Sequence, residues 1–94
     1  MDIERLHWDE RNAAHIAHHN VTKEEVEEVV EGPCTPTDAY GGRTGVVGVA
    51  QSGRVIAVVL HELGDGVYYM ITARDASRQE RFEYAQQMRS GGQL

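Results

Sequence analysis

The last third of the chain carries side chains whose types and spacing could act on a phosphate group. Arg74 ends a hydrophobic segment, and Glu80, Arg81 and Tyr84 follow within ten residues, in a helix that is predicted to begin at Ser77. Arginine presents a planar fork of donors that fits phosphate oxygens. We therefore predict that Arg74 and Arg81 hold and polarise a phosphate, because cations directed at developing phosphoryl charge lower the reaction barrier.

The same residues also allow a purely structural interpretation. Arg74 and Arg81 could form salt bridges with neighbouring carboxylates, and Glu80 stands at the position of a capping box that Ser77 begins. Tyr84 could bond a phosphate or stack on a base, or it could be an ordinary half-buried aromatic residue. The residues alone leave these alternatives open.

The N-terminal part of the chain predicts one strand and two helices. Residues 3–8 alternate as a short strand, and Asp9 is expected to cap a helix that runs to about His18. Thr22 and Glu25 have the spacing of a capping box, so a second helix begins there, and a glycine–proline pair ends it.

The remainder of the chain predicts strands followed by a last helix. Residues 44–51 and 54–62 form two strands around a two-residue hairpin turn, and residues 67–74 return antiparallel to the second of them. The helix that begins at Ser77 should reach about Met88. A strand, two helices, three or four antiparallel strands and a helix together predict an α+β domain.

Length, composition and cysteine content limit the class of protein. Ninety-four residues, 40% of them hydrophobic, make one small domain, expected over residues 1–90 with a flexible tail at residues 91–94. The single cysteine, Cys34, excludes an internal disulfide and fits a reducing compartment. No apolar run approaches the roughly 20 residues of a membrane span, and no signal-peptide pattern begins the chain. We expect a cytoplasmic protein.

The formal net charge of −6 opposes nucleic-acid binding, which usually requires a basic surface. The charges are, however, distributed unevenly, with acids concentrated in the second predicted helix and arginines near the C-terminus. These residues are Glu24, Glu25, Glu27, Glu28 and Glu31, and Arg74, Arg78, Arg81 and Arg89. A local basic cleft is therefore expected, although long-range attraction to RNA should be weak.

Five short motifs lie in order between Leu6 and Tyr84. They are Trp8-Asp9, His19-Asn20-Val21-Thr22, Gly53-Arg54-Val55, Ile71-Thr72-Ala73-Arg74, and Glu80-Arg81 followed by Tyr84. In this order and spacing the chain resembles the BrnT family of bacterial type II toxin–antitoxin toxins. The resemblance implies a RelE-like α+β fold with a small antiparallel sheet of about four strands, two N-terminal helices and one C-terminal helix. It also implies a ribonuclease that a small antitoxin neutralises.

The resemblance associates the Glu80-Arg81 pair with toxicity. RNA cleavage without a metal also needs a base for the 2′-hydroxyl and an acid for the leaving oxygen. Imidazole has the unperturbed pKa nearest neutrality, and His61, at the end of the central strand, is the best placed histidine. The expected catalytic residues are thus Arg74, Glu80, Arg81, Tyr84 and His61, and the expected RNA-binding residues are Arg54 and Arg78.

A metal site is the other chemistry that the histidines could support. His15 and His19 are four residues apart on a predicted helix and could share a zinc ion, but a third ligand is not evident. We expect no metal and no cofactor.

Two functions remain open at this point. The first is a hydrolase, a metal-independent endoribonuclease toxin whose partners are an RNA substrate such as mRNA and a cognate antitoxin. The second is a catalytically weak or inactive RelE-like module that binds a partner protein, which the acidic surface favours. Both predict a toxin–antitoxin hetero-oligomer and no membrane partner.

Overall fold

The computed structural model describes residues 3–91, which form three helices and one five-stranded sheet. In chain order the elements are β1 Arg5–His7, α1 Glu10–Ala17, α2 Lys23–Glu31, β2 Cys34–Thr37, β3 Thr44–Val49, β4 Val55–Gly64, β5 Val67–Asp75 and α3 Arg78–Gly91. The strand order in the sheet is β1-β5-β4-β3-β2. The predicted α+β class, with two N-terminal helices and one C-terminal helix, is confirmed.

The sheet differs from the expected one in strand number and direction. β1 pairs in parallel with β5, whereas the remaining neighbours are antiparallel. β2 adds a fifth strand at the opposite edge, where Pro36 is tolerated because an edge strand can lack one ladder donor. The predicted two-residue turn between β3 and β4 is wrong, since residues 50–54 form a longer loop there.

The C-terminal boundary also differs from the expected one. α3 continues to Gly91, so the first residue of the predicted tail is helical. Residues 92–94 of that tail lie outside the described residues. Within residues 3–91, no helix combines the length and the apolar character that crossing a membrane requires.

The helices begin where local side-chain chemistry predicts. Asp9 accepts a hydrogen bond from the Asn12 N–H (2.8 Å) at the start of α1. Thr22 accepts one from the Glu25 N–H (3.1 Å), and the Glu25 carboxylate accepts one in return from the Thr22 N–H (2.9 Å). Asn20 has a φ of 58° after α1, a left-handed conformation that asparagine adopts more readily than most residues. The predicted caps are therefore confirmed.

The helices cover the two faces of the sheet unequally. On one face, Ile16 of α1 and Val29 of α2 pack in the main core with Val58, Leu60 and Met70 of the sheet. On the other face, a smaller cluster contains Val47, Ala57 and Ala76, with Tyr84 of α3 packed against it. We call this second side the α3 face. Because α3 packs mainly over β2 and β3, side chains of β4 and β5 stay accessible there.

A β-bulge determines which side chains of β4 and β5 face each other. Val59 is opposite Thr72 and Leu60 is opposite Met70, so Ile71 is an extra residue in β5. Beyond this bulge His61 lies opposite Tyr69. Since side chains alternate along β4, His61 is on the same face as Ala57, the α3 face.

Arg54 fastens the junction between α1 and α2 to the end of the sheet. Its Nε donates to the Asp75 carboxylate (2.6 Å), and one terminal nitrogen donates to the Glu25 carboxylate (3.1 Å). The guanidinium also donates to the backbone carbonyls of His19 and Asn20, which follow the last turn of α1. One side chain thus joins both N-terminal helices to the last strand.

This arrangement predicts that Arg54→Ala destabilises the fold. Loss of hydrogen bonds to charged groups should lower the free energy of unfolding by about 1.5–3 kcal/mol, measured by urea denaturation at pH 7. Arg78→Ala is the matched control, because Arg78 is exposed and forms no salt bridge with any described residue. It should change stability by less than about 0.5 kcal/mol. Equal effects of the two substitutions would contradict the role of Arg54.

Candidate functional site

The junction between β5 and α3 brings Arg74 and Glu80 together as a paired unit. The two terminal nitrogens of Arg74 donate to the two carboxylate oxygens of Glu80 at 2.7 and 3.1 Å. The same carboxylate accepts the Ser77 N–H (2.8 Å), and Ser77 Oγ accepts the Glu80 N–H (3.1 Å). The hydrogen bond from Arg74 is the main reason that the pKa of Glu80 falls to about 2. Glu80 therefore caps α3 and neutralises Arg74 at once.

Tyr84 has a structural role at the same junction. Its hydroxyl donates to the Pro33 carbonyl at 3.2 Å, and its half-buried ring packs against Val47, Ala57 and Ala76. These contacts hold α3 against the sheet and against the segment that enters β2.

Arg78 and Arg81 are the accessible cations of the junction. Both side chains are exposed, and neither forms a salt bridge with a residue in the described range. The pKa of Asp75 is lowered chiefly by its hydrogen bond from Arg54, with a smaller contribution from the positive charge of Arg81. Arg81 thus lies near Asp75 without a direct ion pair.

His61 lies apart from this junction, in a cleft beside α1 of about 840 Å³. We call it the α1 cleft. Among residues 3–91, its lining contains two arginines, three histidines and a tyrosine, but no aspartate or glutamate. These residues are Arg11, Arg43, His15, His18, His61 and Tyr69. In a chain of net charge −6, this lining is a local concentration of arginine and histidine side chains.

One wall of the cleft is a single face of α1. This wall contains Arg11 and His15 of α1 and His18 directly after it. Their spacing of four and three residues aligns them along the helix. Two buried residues fix the orientation of that face. Ile16 packs into the main core, and Asn12 donates from Nδ2 to the His7 carbonyl at 2.9 Å.

Tyr69 is held in the cleft by the residue that caps α1. Its hydroxyl donates to the Asp9 carboxylate at 3.0 Å, and its ring stacks against His7 with 5.8 Å between ring centroids. Partial burial and the bond to Asp9 raise the pKa of Tyr69. The pKa of Asp9 is lowered, first by the Asn12 N–H and also by Tyr69. Near neutral pH the phenol therefore keeps its proton and Asp9 stays ionised.

The five predicted catalytic residues lie in two separate places. Four of them, Arg74, Glu80, Arg81 and Tyr84, belong to the β5–α3 junction, whereas His61 lies in the α1 cleft. His61 and Arg74 share the α3 face, but His61 is four residues along β4 from Ala57, the residue opposite Arg74. At about 3.3 Å per residue, the two backbone positions are roughly 13 Å apart. Arg74 is paired with Glu80 and does not line the cleft that contains His61, so the structure does not bring these two side chains into one site. Arg54, predicted to bind RNA, instead has all three guanidinium nitrogens engaged by the helix junction and Asp75.

Sequence reasoning missed most of the α1 cleft. The helical spacing of Arg11, His15 and His18 was a usable signal, but His15 drew attention only as a zinc ligand together with His19. Those two rings are in edge contact, 5.5 Å between centroids, and within residues 3–91 no three His, Cys, Asp or Glu side chains meet as a metal site. Arg43 belongs to the loop between β2 and β3, and its position follows from tertiary packing alone.

Comparison with known proteins gives a result at the level of the fold. No protein-family model matches this sequence, and no curated protein matches it. The crystal structure of the Brucella abortus ribonuclease toxin BrnT does match, with a TM-score of 0.62 and 22% sequence identity, over 79% of this chain and 97% of that one. The chain has the BrnT fold. The resemblance predicted from the short motifs is confirmed to that extent.

On this BrnT-like fold the α1 cleft has the groups that phosphodiester chemistry requires. Histidine is a common general acid or base in such reactions, and His15 and His61 both line the cleft. The guanidinium groups of Arg11 and Arg43 can bind phosphate oxygens and stabilise charge that develops on them. The β5–α3 junction offers cations but no free base among the residues described above, because Glu80 is already paired.

The Arg74–Glu80 pair predicts a specific pH dependence of stability. A carboxylate whose pKa is depressed by folding contributes stability above its ordinary pKa of 4.5 and loses it as pH falls toward 2. Glu80→Gln keeps the capping geometry but removes the charge, and should cost about 1–2 kcal/mol at pH 7, since Arg74 is half exposed. Urea denaturation at pH 7, 5, 4 and 3 should show the difference from wild type shrinking below pH 4.5. Glu83→Gln, one turn along α3, is the control and should show no such trend.

Proposed function

We propose that the protein is a cytoplasmic, metal-independent endoribonuclease, the toxin of a type II toxin–antitoxin pair, and that it cleaves RNA in the α1 cleft. The observation that carries the proposal is a cleft lined by Arg11, Arg43, His15 and His61, with no aspartate or glutamate among the described residues of its lining, on a BrnT-like fold. The BrnT structure of Brucella abortus is that of a ribonuclease toxin. Its activity supports the same reaction class for this chain.

Cleavage of an RNA phosphodiester without a metal requires a base that accepts one proton and an acid that donates another. A base removes the proton of an RNA 2′-hydroxyl, whose oxygen bonds to the adjacent phosphorus. The bond from phosphorus to the 5′-oxygen breaks, and an acid protonates that oxygen, leaving a 2′,3′-cyclic phosphate and a 5′-hydroxyl. We assign His61 and His15 to these proton transfers, since both line the cleft. Arg11 and Arg43 would stabilise the charge on the phosphate oxygens.

The β5–α3 junction would then bind the part of the RNA strand that extends beyond the cleft. Arg78 and Arg81 are exposed and without salt bridges to described residues, so they can bind phosphates of the backbone. Arg74, Glu80 and Tyr84 would act as positioning residues, because their mutual and backbone contacts order the turn into α3. Of the five predicted catalytic residues, only His61 has a role in proton transfer in this proposal, and of the two predicted RNA-binding residues only Arg78 is retained, because Arg54 is engaged within the fold.

An inactive protein-binding module is the second candidate function. The net charge of −6 and the neutralised Arg74 favour it. The acid-rich α2 is a weaker argument, because three of its five glutamates have partners inside the fold. Glu25 binds Arg54, Glu27 accepts from Trp8 Nε1 (2.7 Å), and Glu28 accepts from the Gln51 N–H (3.1 Å). We propose a cognate antitoxin as partner in either case, in a toxin–antitoxin hetero-oligomer.

RNA cleavage by purified protein in the presence of EDTA tests the proposal. The wild-type protein should cleave single-stranded RNA, such as an mRNA fragment, and His61→Ala should reduce the rate by roughly 10²–10⁴-fold. Arg43→Ala should reduce it by about 10²–10³-fold, whereas Arg89→Ala, on α3 and outside the cleft lining, should leave it unchanged. Thermal melts of each variant identify losses that are due to unfolding.

Three results would change this assignment. Full activity of His61→Ala and Arg43→Ala would exclude the α1 cleft as the catalytic site. Loss of activity in Arg81→Ala with an unchanged melt, beside active cleft variants, would move catalysis to the β5–α3 junction. Absence of cleavage by folded wild-type protein, together with normal bacterial growth at high soluble expression, would favour the protein-binding module.

A further inference from the structure

Three ring-bearing side chains lie in one row across three strands of the sheet. His61 of β4 is directly opposite Tyr69 of β5, and Tyr69 is directly opposite His7 of β1. Residues opposite each other project from the same face, so the row is continuous on the α3 face. The rings of His7 and Tyr69 stack at 5.8 Å with 30° between their planes. We call this row the ring ladder.

The ladder is accessible and partly immobilised. His7 and His61 are exposed, and Tyr69 is half-buried. The hydrogen bond from Tyr69 to Asp9 restrains the central ring before any ligand arrives. A ring that is already ordered loses little conformational freedom on binding, which favours affinity.

The ladder also lies where phosphates can be bound. His61 and Tyr69 line the α1 cleft together with Arg11 and Arg43. Single-stranded nucleic acids are commonly bound in this way, with bases stacked on aromatic rings and the backbone held by cationic side chains. A volume of about 840 Å³ is within the range of pockets that hold small organic ligands and is suited to one or two nucleotides.

We infer that the ring ladder is a base-stacking platform that holds unpaired bases of the RNA at the α1 cleft. The inference rests on the proposed function and names the side chains that would contact the bases at the same site. In a duplex each base is already stacked between its neighbours, so its face cannot reach His61 or Tyr69. In a single strand the bases can turn out and stack on protein rings.

Binding of an uncleavable probe tests this inference apart from catalysis. The probe is a fluorescein-labelled 2′-O-methyl RNA octamer, which lacks the free 2′-hydroxyl. Its affinity is compared with that of the same strand in a duplex and with that of an abasic octamer carrying the same number of phosphates. Fluorescence anisotropy should show wild-type protein binding the single strand at least tenfold more tightly than either comparison probe.

Substitutions in the ring ladder test whether the rings cause the preference for the single strand. Tyr69→Leu should weaken binding of the single strand by roughly tenfold or more, the loss expected for one stacking ring, without changing binding of the abasic octamer. Tyr69→Phe keeps the ring but loses the hydrogen bond to Asp9, so it should bind the single strand much more tightly than Tyr69→Leu and no more tightly than wild type. His7→Ala, at an exposed position that should tolerate truncation, provides a second test if Tyr69→Leu fails to fold. Phe82→Leu is the control, because Phe82 is an exposed ring on α3 outside the cleft.

The outcomes separate this inference from the proposed function. Equal affinity for the single strand and the abasic octamer, preference for the duplex, or unchanged binding by both Tyr69→Leu and His7→Ala would overturn the stacking platform, even if RNA is cleaved. Ladder-dependent binding of the octamer by a protein that cleaves no RNA would support the platform and reject the ribonuclease.

Discussion

The structure depends on Arg54, which holds the N-terminal helix pair against the end of the sheet. Its guanidinium binds Glu25 at the start of α2, Asp75 at the end of β5 and the carbonyls of His19 and Asn20 after α1. Carbonyls at the end of a helix lack partners within that helix. The planar guanidinium of Arg54 donates to two such carbonyls and at the same time joins α1, α2 and β5. Because α1 forms a wall of the cleft, this contact also determines the shape of the candidate site.

The acidic chain can have a cationic cleft because many of its carboxylates are used by the fold. Glutamates of α2 bind Arg54, Trp8 and the loop after β3, and Glu80 binds Arg74. The lining of the α1 cleft, in contrast, has no carboxylate within the part of the chain that the structure describes. Net charge therefore says little about the local potential that a phosphodiester would meet, although it still weakens long-range attraction to RNA.

The parts of the fold that could be predicted from sequence are those that local chemistry determines. Capping boxes at Thr22 and Ser77 gave the starts of two helices, because their partners lie three residues away. The parallel pairing of β1 with β5 and the bulge at Ile71 depend on which strands meet in the folded sheet. The residues close to them in sequence do not indicate either feature. The same limit applied to the candidate site. His61 was predicted, but its neighbours Arg43 and Tyr69 were not. Arg43 lies near His61 because of the position of a loop, and Tyr69 lies opposite His61 because of the register of the strands.

We propose that RNA binds in the α1 cleft rather than at the β5–α3 junction or the acidic α2. Amide chemical-shift mapping by NMR of ¹⁵N-labelled protein, titrated with a 2′-O-methyl RNA octamer, is the most direct test. Binding in the cleft should produce the largest shifts at residues 11–18, at residues 41–43 and around His61 and Tyr69, with smaller shifts at Arg78 and Arg81. Shifts confined to α2, or to α3 and β2, with residues 11–18 unaffected, would contradict it.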